Sequence, residues 1–199
     1  MLRQIGQQFK KPSGLMGKII TNLMIKGNTP EYDHMIPDLE IKTGDRILEI
    51  GYGHGVGVDR IVTDHDCTVT GIDFSELSYQ TAGKRNRKHI ENKKVELFYG
   101  DFLETDRLTG QYDTIFHLNV IYFWDQLDKP FSKMKSLLKE GGRVCMFMAG
   151  SDFLKTKKFT KDGIFNKYSI EYVVDELTLA GFSDISHHYD NGYYIKCRG

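Results

Sequence analysis

Four glycines at alternate positions, Gly51, Gly53, Gly55 and Gly57, follow directly on the apolar run at residues 46–50. Glycine lets a backbone turn sharply and lets another group approach without meeting a Cβ atom. The stretch therefore reads as a turn from a strand into a helix, and the rest of the chain keeps that alternation. Residues 55–65 predict a helix, 67–72 a second strand, and 75–89 a second helix opening on Ser75 as N-cap. Residues 95–99 and 114–118 predict strands three and four. A helix over 125–138 stops at Lys139-Glu140-Gly141-Gly142, and 143–148 is a fifth strand. A last helix over 169–180, ended by Gly181, leads to strands at 182–189 and 193–197. Strand–helix alternation implies a parallel sheet covered on both faces. The link Asp190-Asn191-Gly192 is too short for a parallel crossover and suits a hairpin, so the last strand is expected to run antiparallel.

A chain of 199 residues, 40% of them hydrophobic, is the size of one ordinary globular domain. Residues 1–40 differ from the remainder and read as a helical extension or lid ahead of a main domain at 41–199. Leu15, Met16, Ile19, Ile20, Leu23 and Met24 fall at helical spacing, and Asn28-Thr29-Pro30 starts a second helix with Tyr32, Met35 and Ile36 on one side. The first stripe suits either packing over one end of the sheet or, with Lys10, Lys11, Lys18 and Lys26, a membrane surface. No apolar run reaches membrane-spanning length, and no signal-peptide pattern is present. Cys67, Cys145 and Cys197 are too widely spaced for a zinc site and read as reduced thiols, so the expected compartment is the cytoplasm. Lys and Arg together number 27, as do Asp and Glu, which argues against nucleic acid as a partner. The cluster Lys84, Arg85, Arg87 and Lys88 reads as a solvated helix face. Oligomeric state leaves no signal.

In an open α/β sheet, ligands bind beyond the carboxyl ends of the strands where the strand order reverses. The glycine turn occupies that place, although dinucleotide enzymes carry such turns too. Three polar residues at later strand ends narrow the reading. Asp73 ends the second strand, about 20 residues past the glycines, where an acid accepts hydrogen bonds from ribose hydroxyls. Asp101 ends the third strand, where a carboxylate can meet the amino group of adenine, and Asn119 follows the fourth.

These motifs, taken in order, resemble the class I S-adenosylmethionine-dependent methyltransferases from about Gly44 onward. Glu49-Ile50-Gly51-Tyr52-Gly53-His54-Gly55 is similar to the family's E/D-x-G-x-G-x-G motif. Asp73 matches its ribose-binding acid, Gly100-Asp101-Phe102 its adenine segment, and 112–119 its fourth-strand motif. Lys139-Glu140-Gly141-Gly142-Arg143 and Ala180-Gly181-Phe182 match later landmarks. The resemblance implies a three-layer Rossmann-like sandwich, with a seven-stranded, mostly parallel sheet and an antiparallel last strand, preceded by two N-terminal helices. It also implies a cofactor, S-adenosylmethionine, held by Glu49, Gly51, Tyr52, Gly53, Gly55, Asp73, Phe74, Asp101, Phe102 and Asn119. Phe74 and Phe102 would pack on adenine or else belong to the core. Tyr52 would offer a ring face to the sulfonium cation. Two readings stand beside this one: an NAD-dependent oxidoreductase on a related sheet, and a protein that binds S-adenosylmethionine without catalysis.

Methyl transfer needs alignment and exclusion of water more than a conspicuous catalytic side chain. His117 and Tyr122 are the candidates for a base, each with a plain packing role as the alternative, and no base is assigned. His54 sits in the glycine loop and is read as exposed. Tyr122, Phe123 and Trp124 would line an acceptor pocket if one opens beside the loop after strand four. Asn119-Val120-Ile121-Tyr122 has the ends of an N-P-P-Y motif but neither proline, which argues against amino-group transfer to bases or glutamine. Acids are missing after strand four and only Asp152 follows strand five, so no metal is expected. Residues 112–126 hold no glutamate pair of the kind protein arginine methyltransferases use. A small-molecule acceptor remains by elimination; residues 150–167, with Lys155, Lys157, Lys158 and Lys161, read as a solvated loop or as a further wall suited to an acidic acceptor.

Overall fold

A computed structural model describes residues 6, 8, 11–14, 19, 29–160 and 163–199. Helix α1 covers residues 29–38. It is followed by β1 (Arg46–Ile50), α2 (Val56–Asp64), β2 (Thr68–Asp73), α3 (Glu76–Arg85), α4 (Arg87–Glu91), β3 (Val95–Tyr99) and β4 (Tyr112–Leu118). Then come α5 (Asp128–Leu137), β5 (Leu138–Met148), α6 (Ser151–Thr156), α7 (Ile170–Leu179), β6 (Ser183–Tyr189) and β7 (Tyr193–Arg198).

The seven strands form one sheet in the order β3-β2-β1-β4-β5-β7-β6. Strands β1 to β5 pair in parallel, while β7 runs antiparallel to both β5 and β6. The antiparallel strand follows from its short link: Asp190 N–H donates to Gly192 O across 2.8 Å and closes a tight hairpin. Chain order reverses between β1 and β4. The loops leaving these two strands therefore diverge and open a crevice above their carboxyl ends.

Side chains alternate between the two faces with the period of two that a strand imposes. Ile47, Phe116 and Phe147 pack with Met35 and Leu39 of the α1 segment and with Val58 and Ile61 of α2. Leu48, Ile115 and Met146 pack on the other face with Phe131 of α5 and with Val173 and Leu177 of α7. Each large aliphatic or aromatic side chain so buried contributes about 1.5–3 kcal/mol. Ser75 caps α3, accepting from Ser78 N–H, and Ser169 caps α7 in the same way through Tyr172 N–H.

The structure departs from the sequence reading in four places. The helix expected over 75–89 is divided at Asn86 into α3 and α4. Residues 139–142 are not a turn ahead of β5 but a bulge within it, since the pairing jumps from Tyr112–Leu138 to Thr114–Arg143. Helix α6 was not expected. Cys67 lies just before β2 rather than inside it, although all three thiols are free and buried. The second of the two expected N-terminal helices is α1. The apolar stripe at 14–26 falls almost entirely outside the described residues, as do most of residues 1–28. Among the described residues, no helix is long and apolar enough to cross a membrane.

Candidate functional site

Strands β1, β2 and β4 end in step, with Ile50 paired to Ile72 on one side and to His117 on the other. Gly51 leaves this edge with its N–H donating to Ile72 O at 2.7 Å. Its φ is +74°, and a Cβ there would lie 2.4 Å from Val120 Cγ2. Only glycine meets both demands, the left-handed backbone and the close approach. Helix α3 secures the far side of the turn. Arg85 Nε donates to His54 O at 3.1 Å, and the buried Asn86 Nδ2 donates to Gly55 O at 3.0 Å. Tyr52 is buried, with its hydroxyl donating to Phe98 O of β3 at 3.0 Å.

A cavity of about 220 Å³ opens above these strand ends. Gly51, Tyr52 and Gly53 form one wall, and Asp73, Phe74, Asp101 and Phe102 come from the ends of β2 and β3. Asn119, Val120, Phe123 and Trp124 enter from the loop after β4, while Tyr32 of α1 and Pro12 close the remaining side. Asp73 joins the parts: its Oδ2 accepts from Gly53 N–H at 2.9 Å and its Oδ1 from Ser75 N–H at 2.8 Å. Burial pushes its carboxyl up to about 6 against those two hydrogen bonds, which pull it down. Asp101 Oδ1 accepts from Leu103 N–H at 2.8 Å, and Lys133 of α5 ties the same loop through Leu103 O and Thr105 O. Asn119 takes a left-handed backbone (φ +58°), which asparagine tolerates, and its N–H donates to Phe147 O.

Eight of the ten candidate cofactor residues line this cavity: Gly51, Tyr52, Gly53, Asp73, Phe74, Asp101, Phe102 and Asn119. Glu49 and Gly55 do not. Glu49 shares the face of Ile47, one residue out of step with the cavity edge, and points toward α1 and α2. There its Oε1 accepts from the Tyr32 hydroxyl at 2.7 Å. Burial raises its carboxyl to about 7, opposed by the Tyr32 hydrogen bond. Gly55 packs against Ala82 and Asn86 instead.

Neither candidate base reaches the cavity. His117 is fully buried and packs edge-on against Trp124, with ring centroids 5.3 Å apart. Burial lowers its imidazole to about 3, so it is neutral at physiological pH. Both ring nitrogens lack a hydrogen-bond partner among the described residues. Tyr122 turns inward. Its hydroxyl donates to Asn119 Oδ1 at 2.8 Å and accepts from Ala149 N–H, so it braces the end of β5 against the loop after β4. His54 is not exposed as read from the sequence. It is 8% accessible, lines the cavity, and is lowered to about 4 by burial and, secondarily, by Arg85. Tyr32 was missed as a site residue; its place in an apolar stripe gave a core position but no sign that it borders the cavity. Among the described residues, no group of three His, Cys, Asp or Glu side chains is placed to hold a metal.

Residues 47–142, which carry the glycine turn, Asp73, Asp101 and Asn119, match the model of a family described as "Methyltransferase domain". These residues form a methyltransferase domain of the class I S-adenosylmethionine-dependent type. Among similar proteins, this chain is 29% identical to 27-O-demethylrifamycin SV methyltransferase of Amycolatopsis mediterranei, over 61% of this chain and 43% of that protein. It is 29% identical to the uncharacterized methyltransferase YdaC of Bacillus subtilis, over 78% of this chain and 81% of that protein. A solved structure of Haemonchus contortus phosphoethanolamine N-methyltransferase 2, in complex with phosphomonomethylethanolamine and S-adenosylhomocysteine, superposes with a TM-score of 0.70. It is 24% identical and covers 80% of this chain and 38% of that one. The chain thus spans less than half the length of the first and third of these proteins and most of the second. The shared part with the third is the fold.

Proposed function

We propose that this chain transfers a methyl group from S-adenosylmethionine to a small-molecule acceptor, through the cavity above β1 and β4. The observation that carries the reading is the joining of the glycine turn and Asp73 in one wall of that cavity, at the point where strand order reverses. The residues present suit the cofactor. Gly51 and Gly53 offer backbone without side chains, and Asp73 keeps lone pairs beyond the two it uses for Gly53 and Ser75, which suits ribose hydroxyls. Phe74, Asp101 and Phe102 would hold adenine, and Tyr52 and Asn119 would border the methionine part. Glu49 would act through Tyr32 rather than by contact.

When bound, S-adenosylmethionine supplies an electrophilic methyl on a positively charged sulfur. The chain's own work is to hold an acceptor in line with that methyl and to exclude water. Val120, Phe123 and Trp124 suit the second task as an apolar wall. His117 is neutral and shut away from the cavity, and the Tyr122 hydroxyl is engaged twice. The reading therefore assigns neither as base. We further propose residues 1–40 as a lid. Pro12 borders the cavity and its carbonyl accepts from Ser75 Oγ at 3.0 Å, while Gly6 packs near Phe159, Ile164 and Phe165. A cytoplasmic setting completes the proposal, supported by three free, buried thiols.

Isothermal titration with S-adenosylhomocysteine and with NAD tests the cofactor. The expected result is saturable binding of the first and none of the second, and the reverse would sink the reading. A labelled-methyl screen over small-molecule extract then separates catalysis from binding alone. Persistent absence of transfer by a chain that binds the cofactor would make it a binding protein.

A further inference from the structure

The cavity is chemically lopsided. Its two carboxylates, Asp73 and Asp101, sit at the ends of β2 and β3, and among the described residues no lysine or arginine lines it. The loop after β4 adds an apolar wall of Val120, Phe123 and Trp124. Val120 touches the glycine turn so closely that a Cβ at Gly51 would overlap it, so this apolar wall begins where the methionine end of the cofactor is read to lie. Trp124 is held in place by the edge of His117 and by Phe102, with ring centroids 5.3 and 6.1 Å away. Phe123 is backed by Phe165 at 5.1 Å.

Charge is withheld from that wall. The imidazole behind Trp124 is neutral, because burial lowers His117 to about 3. The Tyr122 hydroxyl is already committed to Asn119 and Ala149. Arg85 and Lys133 reach loops bordering the cavity, yet they donate to the carbonyls of His54, Leu103 and Thr105. A buried anion without a partner is strongly disfavoured, and the two carboxylates add repulsion. The phosphate of phosphomonomethylethanolamine, held in the Haemonchus contortus complex, would find no cation among these residues.

We propose that the acceptor carries no negative charge and has an apolar, ring-sized body, held against Val120, Phe123 and Trp124, and that Phe123 and Trp124 set this specificity. The proposal rests on the cofactor reading above. Trp124 is the chain's single tryptophan, so its emission reports directly on the wall. The test uses two probes of one shape in the presence of S-adenosylhomocysteine at neutral pH: 4-tert-butylphenol (uncharged) and 4-tert-butylbenzoate (anionic). The phenol should shift Trp124 emission and bind about tenfold or more tighter than the benzoate. Phe123→Arg, checked for retained S-adenosylhomocysteine binding, should weaken the phenol and strengthen the benzoate. The benzoate binding as tightly as the phenol, or no response to the phenol from a chain that binds S-adenosylhomocysteine, overturns the acceptor class. Failure to bind S-adenosylhomocysteine overturns instead the cofactor reading beneath it.

Discussion

Asp73 is the residue on which the site turns, because one carboxylate fixes the glycine turn and also faces the cavity. Its two backbone donors, Gly53 and Ser75, favour the ionised form, while burial opposes it and sets the group at about 6. A ligand whose hydroxyls donate to the carboxylate adds to the first side and lowers the pKa on binding. The sign follows: affinity is full above about pH 6 and declines as pH falls through that value. Asp73→Asn cannot titrate and loses the charge-assisted bonds. We expect it to bind S-adenosylhomocysteine more weakly by about 2 kcal/mol, roughly thirtyfold, with no step near pH 6. Calorimetry on both chains either side of that pH checks this; matching pH profiles would show that Asp73 does not meet the ligand.

At the level of elements, the alternation of strand and helix was legible because its causes are local: glycine punctuation, apolar runs and Ser caps. The antiparallel β7 was legible from the length of one loop. What the sequence hid depends on contacts made from a distance. The division of 75–89 at Asn86 accompanies a side chain that bonds both Ala82 O in the last turn of α3 and Gly55 O, 31 residues back in the chain. Nothing in the helical spacing of that segment signals such a bond. Glu49 faces away from the cavity for a related reason. A motif names the residue, but the period-two pleat decides which face it shares, and Glu49 shares that of Ile47. His117 looked like a strand-end base because its burial is produced by Trp124 folding back over it. Asn86 therefore makes a test of how α3 supports the glycine turn. Asn86→Ala leaves the buried Gly55 carbonyl without its side-chain donor and should cost about 1–3 kcal/mol of stability. Urea denaturation would read this as a lower midpoint at unchanged slope, and a midpoint equal to wild type would show that the turn stands without α3.

On the scale of the whole molecule, the site lies where both packed faces of the sheet meet its carboxyl edge, and this has a cost in folding. Glu49 is 1% exposed and sits beneath α1 and α2, with its carboxyl raised from an ordinary 4.5 to about 7 chiefly by burial. The folded chain therefore holds a proton on Glu49 over a range in which the unfolded chain has released it. Stability falls with rising pH wherever the folded state binds more protons. The contribution is fully present below about pH 4.5 and is lost as pH rises through about 7. A shift of this size amounts to about 3 kcal/mol, a large part of the 5–15 kcal/mol that holds a typical domain folded. Glu49→Gln keeps an acceptor for the Tyr32 hydroxyl and cannot ionise. Its stability should be nearly flat across that window, and it should exceed wild type on the alkaline side. Denaturant unfolding of the two chains across the window measures the difference directly. Parallel curves would mean that Glu49 ionises in the folded chain as freely as in the unfolded one, and that α1 and α2 do not seal it from water.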